Sequence, residues 1–78
     1  MKIYVGNLSF NTSNQDLSDI FAEVGTVTSA NVIEDRETGR SRGFGFVEMA
    51  LEHEAVVAIK ELNGSTIEKN KIRVKAAN

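Results

Sequence analysis

The sequence predicts an α+β fold in which four antiparallel strands carry two helices on one face, in the order βαββαβ. Three observations point there: stretches of period-two alternation, two stretches with apolar residues at i, i+3, i+4, i+7, and a regular succession of the two periods along the chain. At 78 residues there is room for one core only, because a chain this short buries roughly 60 to 65% of the surface its unfolded form exposes. Residues 1–78 are therefore expected to form a single domain.

Lys2 to Val5 alternates as a first strand. Leu17, Ile20, Phe21 and Val24 then lie on one stripe of a helix expected over Asn14 to Val24. Ser13 is placed to cap its start with Asp16 as capping-box partner, and Gly25 stands where a left-handed C-terminal residue is wanted. Val27 to Ile33 is rich in β-branched residues and reads as a second strand. A polar connection from Glu34 to Ser41, containing Thr38-Gly39, leads to a third strand over Gly43 to Met49. Ala55, Ala58, Ile59 and Leu62 repeat the helical spacing from roughly Leu51 to Leu62, closed by Asn63-Gly64. Ile72 and Val74 mark the last strand, preceded by a short extra strand at Thr66 and Ile67. With both helices needing an apolar partner, this order fits the split βαβ, or ferredoxin-like, arrangement.

Alternation also decides what faces away from the helices. On the third strand Gly43, Gly45, Val47 and Met49 share one side, and Arg42, Phe44, Phe46 and Glu48 the other. The charge-free side must be the covered one, where the glycines are expected to let a helix approach the sheet closely. By the same reasoning Ile3, Val5, Ile72 and Val74 point inward, while Lys2, Tyr4, Lys71, Arg73 and Lys75 point outward. On the second strand Ala30 and Val32 are expected inside, with Asn31 and Ile33 outside. Three aromatic rings flanked by cations form a surface suited to stacking unpaired bases and pairing with phosphates, with each stacked base worth about 1 to 3 kcal/mol.

Composition removes several other classes. Cysteine is absent, which excludes a disulfide framework and thiolate metal ligands. No apolar run approaches a membrane span, and the opening strand is too short and too interrupted for a signal-peptide core, so a cytoplasmic location is expected. His53 has no second histidine beside it and reads as a surface residue; no metal and no cofactor are expected. A net charge of −2 argues against holding duplex nucleic acid by bulk electrostatics. The charge is segregated, however. Residues 13–24 and 51–62 hold six acids and one base, a sum of −5, while the remainder holds eight bases and five acids, a sum of +3. Acidic helices would repel a polyanion from the back and leave the sheet as the attractive side.

Two segments give these features a family. Ile3-Tyr4-Val5-Gly6-Asn7-Leu8 resembles the strand-one hexamer of the RNA recognition motif, and Arg42-Gly43-Phe44-Gly45-Phe46-Val47-Glu48-Met49 resembles its strand-three octamer. The resemblance spans essentially the whole chain and extends to small bacterial single-motif proteins and to plant glycine-rich RNA-binding proteins, particularly through Asp35 to Arg42. It implies that Tyr4 and Phe44 are base platforms, that Phe46 contacts sugar or base, and that Arg42 pairs with phosphate. Met49 departs from the family's usual Phe or Tyr, but at an inward position where a flexible thioether can fill the space.

The expected function is therefore binding of single-stranded RNA by a monomer, without catalysis and without a membrane, in post-transcriptional RNA handling. The contacts expected are Tyr4, Phe44, Phe46, Arg42, Lys2, Asn7, Asn31, Arg73 and Lys75. Single-stranded DNA is an alternative ligand, since a stacking platform accepts any base. A protein-interaction module on the same fold is the alternative from another class, and the three retained aromatics speak against it. A small enzyme of the same topology, such as an acyl phosphate hydrolase, would need an acid–base pair or an activated nucleophile, and neither is visible.

Overall fold

The computed structural model describes residues 1–77. The chain order is β1 (Lys2–Gly6), α1 (Asn14–Ala22), β2 (Val27–Glu34), β3 (Ser41–Met49), α2 (Glu52–Leu62), β4 (Thr66–Ile67), β5 (Asn70–Lys71) and β6 (Arg73–Ala76). Four strands form one antiparallel sheet in the order β2-β3-β1-β6, so the two central strands are the ones bearing the aromatic residues. The ferredoxin-like expectation holds. Ile3, Val5, Val47, Met49 and Val74 of the sheet, with Ile72 just before β6, meet Leu17 and Phe21 of α1 and Ala55 and Ala58 of α2 in one core.

The start of α1 follows the local sequence. Ser13 Oγ accepts from the Asp16 N–H at 3.1 Å, and the Ser13 N–H donates to the Asp16 carboxylate at 3.0 Å. The helix ends earlier than the apolar stripe suggests, with Glu23 as C-cap. Gly25 does not adopt the left-handed conformation expected of it; among the described glycines only Gly39, Gly43 and Gly64 do. Gly25 is small for another reason: a Cβ there would lie 2.6 Å from the Glu54 carboxyl group, which accepts the Thr26 N–H at 3.0 Å. The end of α1 is thus tied to the first turn of α2.

The glycines of β3 also differ from expectation. Neither makes room for a helix. Gly43 has φ +82, and its nearest neighbours are the Leu8 carbonyl and the Phe10 ring. A Cβ on Gly45 would stand 2.5 Å from the Asn31 carbonyl oxygen and 3.0 Å from Val32 Cα, so Gly45 accommodates the adjacent strand β2. The pairing of the two strands is irregular: between Val27 and Ser29 the extra residue lies on β2, and between Val32 and Glu34 the extra residues lie on β3, around Gly43. The first shift lets Val27, Ala30 and Val32 all pack against the core despite their odd spacing.

The extra strand at Thr66 and Ile67 forms as expected, pairing with Asn70 and Lys71 in a separate two-stranded ribbon. Its turn places Glu68 and Lys69 at positive φ, a conformation usually left to Gly, Asn or Asp.

Candidate nucleic-acid interface

Strand register assembles the outward residues into rows. Asn31 pairs with Phe46, Phe46 with Tyr4, and Tyr4 with Lys75, a straight line across β2, β3, β1 and β6. Beside it runs a shorter row of Phe44, Gly6 and Arg73. A Cβ on Gly6 would fall 2.5 to 2.9 Å from atoms of the Tyr4 ring, so the ring lies over the glycine and leans toward Phe44. Tyr4 and Phe44 are stacked with centroids 5.9 Å apart and planes at 29°. Phe46 meets both edge-on, at 5.9 Å from Tyr4 and 6.0 Å from Phe44. All three rings are half-buried, because each is packed against the other two while their outer surface faces solvent.

Cations border this cluster. Lys2 Nζ lies 4.7 Å from the Phe46 centroid and Lys75 Nζ 5.2 Å from that of Tyr4. Arg42, Arg73 and Asn31 are exposed on the same face. Eight of the nine residues singled out from the sequence thus converge on one open surface. Asn7 stands at its rim: its backbone is left-handed, φ 58, and its side-chain amide donates to the Lys71 carbonyl at 2.8 Å, while Asn70 donates back to the Asn7 carbonyl. The end of β1 is pinned to β5 by this exchange.

Two clefts flank Phe10. One, of about 640 Å³, lies between Tyr4, Phe44, Arg42, Asn70 and Phe10. The larger, about 890 Å³, lies beyond Phe10 between the β1–α1 turn and the β2–β3 loop. Neither contains the row of rings itself, which is open surface; a base binds the face of a ring and needs no enclosure. Phe10, 75% exposed, was missed in the sequence reading, although an aromatic residue between Ser9 and Asn11 with no periodic apolar partner was a signal.

Known proteins share both the sequence and the shape. The model of the RNA recognition motif matches residues 3–73. Glycine-rich RNA-binding protein 1 of Mycosarcoma maydis is 51% identical over 77 residues, covering 99% of this chain and 44% of that protein. The chloroplastic RNA-binding protein CP31B of Arabidopsis thaliana is 50% identical over 76 residues, 97% of this chain and 26% of that protein. The putative RNA-binding protein RbpA of Synechocystis is 52% identical over 65 residues, 83% of this chain and 64% of that protein. The chain spans less than half the length of the first two. Among solved structures, RNA binding protein PG1 superposes with a TM-score of 0.96 at 53% identity, covering 99% of this chain and 93% of that one. The SXL-lethal protein/RNA complex superposes at 0.93 with 28% identity, covering 99% of this chain and 46% of that one. A match over residues 3–73, with relatives about half identical along nearly the whole chain, makes this chain a member of the RNA recognition motif family.

Proposed function

We propose that the open face of the sheet binds single-stranded RNA, with bases on Tyr4 and Phe44, Phe46 against a sugar or a further base, and Lys2, Arg42, Arg73 and Lys75 at phosphates. The observation that carries the reading is the ring cluster: three aromatics within 6.0 Å of one another on the two central strands, bordered by cations. Asn31, at the end of the Phe46–Tyr4 row, reads a base edge. Asn7 contacts the strand from the rim: its side-chain amide donates one N–H to the Lys71 carbonyl and keeps a second N–H and its own carbonyl for RNA. The module acts as a monomeric unit in RNA handling after transcription. On this reading it works in the cytoplasm, although CP31B is named as chloroplastic.

The test is a titration of labelled oligoribonucleotides against the parent and the variants Phe44→Ala and Phe46→Ala, with unfolding curves run in parallel. Each substitution is expected to weaken binding by about 1 to 3 kcal/mol and to leave a folded protein. Unchanged affinity in folded variants would sink the reading. Equal affinity for the DNA version of the oligonucleotide assigns the ligand as any single strand. Movement of helix resonances with a protein partner, and of none with RNA, would move the module to the protein-interaction class.

A further inference from the structure

Phe10 is the most exposed of the large apolar side chains, at 75%, and the fold gains nothing from it there; burying such a side chain would contribute about 1.5 to 3 kcal/mol. Its position is nonetheless fixed. Leu8 and Thr12, two residues to either side, are both 3% exposed. The Leu8 N–H donates to the Gly43 carbonyl at 2.8 Å, the Thr12 N–H to the Ser9 carbonyl at 3.1 Å, and the Asn11 N–H to Ser9 Oγ at 3.2 Å. The turn therefore presents the ring from an anchored backbone.

Where the ring stands is informative. A Cβ on Gly43 would lie 3.7 Å from Phe10 Cε1, so the ring abuts the strand immediately before Phe44. Together with Tyr4, Phe44, Arg42 and Asn70 it walls the cleft of about 640 Å³ that continues from the ring cluster toward the edge of the sheet. A flat apolar wall, a guanidinium and a carboxamide are what a nucleotide needs: a face for the base, a fork for the phosphate and a hydrogen-bonding group for an edge. We infer that this cleft seats one further nucleotide of the bound strand, its base against Phe10 and its phosphate at Arg42. Continuity with the ring cluster favours that occupant over a protein. On the far side of Phe10 the second cleft, bordered by both Arg40 and Glu34, continues the surface toward the β2–β3 loop. The inference rests on the proposed RNA-binding reading of the sheet.

Oligoribonucleotides of one base composition, lengthened one nucleotide at a time, separate the two claims. Parent, Phe10→Ala, Phe10→Tyr and Phe44→Ala are titrated with each length after confirming that all four unfold cooperatively. On the shortest strands that bind, Phe10→Ala is expected to match the parent. Beyond a threshold length the parent gains affinity and Phe10→Ala does not, by about five-fold or more, the lower end of what one stacked base contributes; Phe10→Tyr keeps the gain. Phe44→Ala is weaker at every length. If Phe10→Ala follows the parent at all lengths while Phe44→Ala is weak, the cleft holds no nucleotide and the inference is overturned with the sheet reading intact. A loss for Phe10→Ala that is the same at every length also overturns it, because the ring then acts by shaping the turn. If Phe44→Ala matches the parent throughout, the underlying reading falls as well.

Discussion

Gly45→Ala isolates one steric contact. Gly45 is buried in β3 between Phe44 and Phe46 and has no left-handed backbone, so the added methyl brings no conformational strain of its own. It would meet the Asn31 carbonyl oxygen at 2.5 Å and Val32 Cα at 3.0 Å. Both are main-chain atoms of β2, which cannot swing aside as the tip of a side chain can; relief requires β2 to move away from β3. Overpacking of this kind costs about 1 to 3 kcal/mol. For a chain of this size 1 kcal/mol corresponds to about 4 to 8 °C in Tm, so the variant should melt about 5 to 20 °C below the parent. Circular dichroism during heating measures this, and urea unfolding should give a lower midpoint with an unchanged slope, since the surface exposed on unfolding is the same. Gly39→Ala is the comparison: its φ is +71 and nothing lies within 4 Å, so it bears only the left-handed penalty of about 1 to 2 kcal/mol. A Gly45→Ala protein that melts within about 2 °C of the parent would refute the argument that β2 crowding, and not helix approach, requires this glycine.

Gly6→Ala should have the opposite profile. The atoms nearest the methyl are the hydroxyl and outer ring atoms of Tyr4, which can rotate away, so stability should stay within about 0.5 kcal/mol while RNA affinity falls as the ring leaves its place beside Phe44; unaltered affinity would show that this ring's orientation is immaterial. Ser13→Ala removes the acceptor for the Asp16 N–H and should destabilise by about 0.5 to 2 kcal/mol in denaturant unfolding, without altering affinity. Asn63→Ala strands the part-buried Val74 N–H, now bonded to Asn63 Oδ1 at 3.0 Å, and should cost about 1 to 3 kcal/mol; a smaller loss would mean another acceptor takes over. Arg42→Ala should flatten the dependence of log affinity on log salt by about 0.7, the share of one phosphate on a single strand, and an identical slope would remove Arg42 from the phosphate contacts.

What the sequence made legible was local or periodic. The capping box of Ser13 and Asp16 spans three residues and formed as read. The outward set followed from period two, which held because the pairing of β1 with β3 is unbroken from Lys2–Glu48 to Gly6–Phe44, although Gly43 just before Phe44 has φ +82. What it concealed depends on distant partners. The role of Gly25 is set by Glu54 from another helix, and that of Gly45 by the backbone of β2; from sequence Gly25 reads as a left-handed helix end and Gly45 as room for a helix. The shift between Val27 and Ser29 contains no Gly or Pro, and the one opposite Gly43 falls on a glycine that the sequence reading assigned to helix packing. The partner of the extra strand was missed because its turn, Glu68-Lys69, lacks the Asn-Gly or Asp-Gly that announces such a hairpin. Phe10 was legible as an odd residue but not as part of the site, since only the bond between Leu8 and Gly43 brings its turn beside Phe44.

A module with net charge −2 that binds a polyanion raises an electrostatic question, and the lysines over the rings bear on it. An open face with three aromatics would by itself be an adhesive patch. In the free protein Lys2 and Lys75 lie over Phe46 and Tyr4, an arrangement worth about 0.5 to 1 kcal/mol each at exposed sites. A base stacked on the same ring is worth about 1 to 3 kcal/mol, so on the proposed reading the base displaces the ammonium. The displaced charge is not lost, because each stem is anchored at the border of the face and its head has only to swing outward to reach the phosphate that arrives with that base. Exchange of this kind makes part of the phosphate attraction conditional on stacking. The acidic helices on the other side of the sheet add nothing for an unstacked polyanion to hold, which favours flexible single strands over duplexes whose bases are already paired.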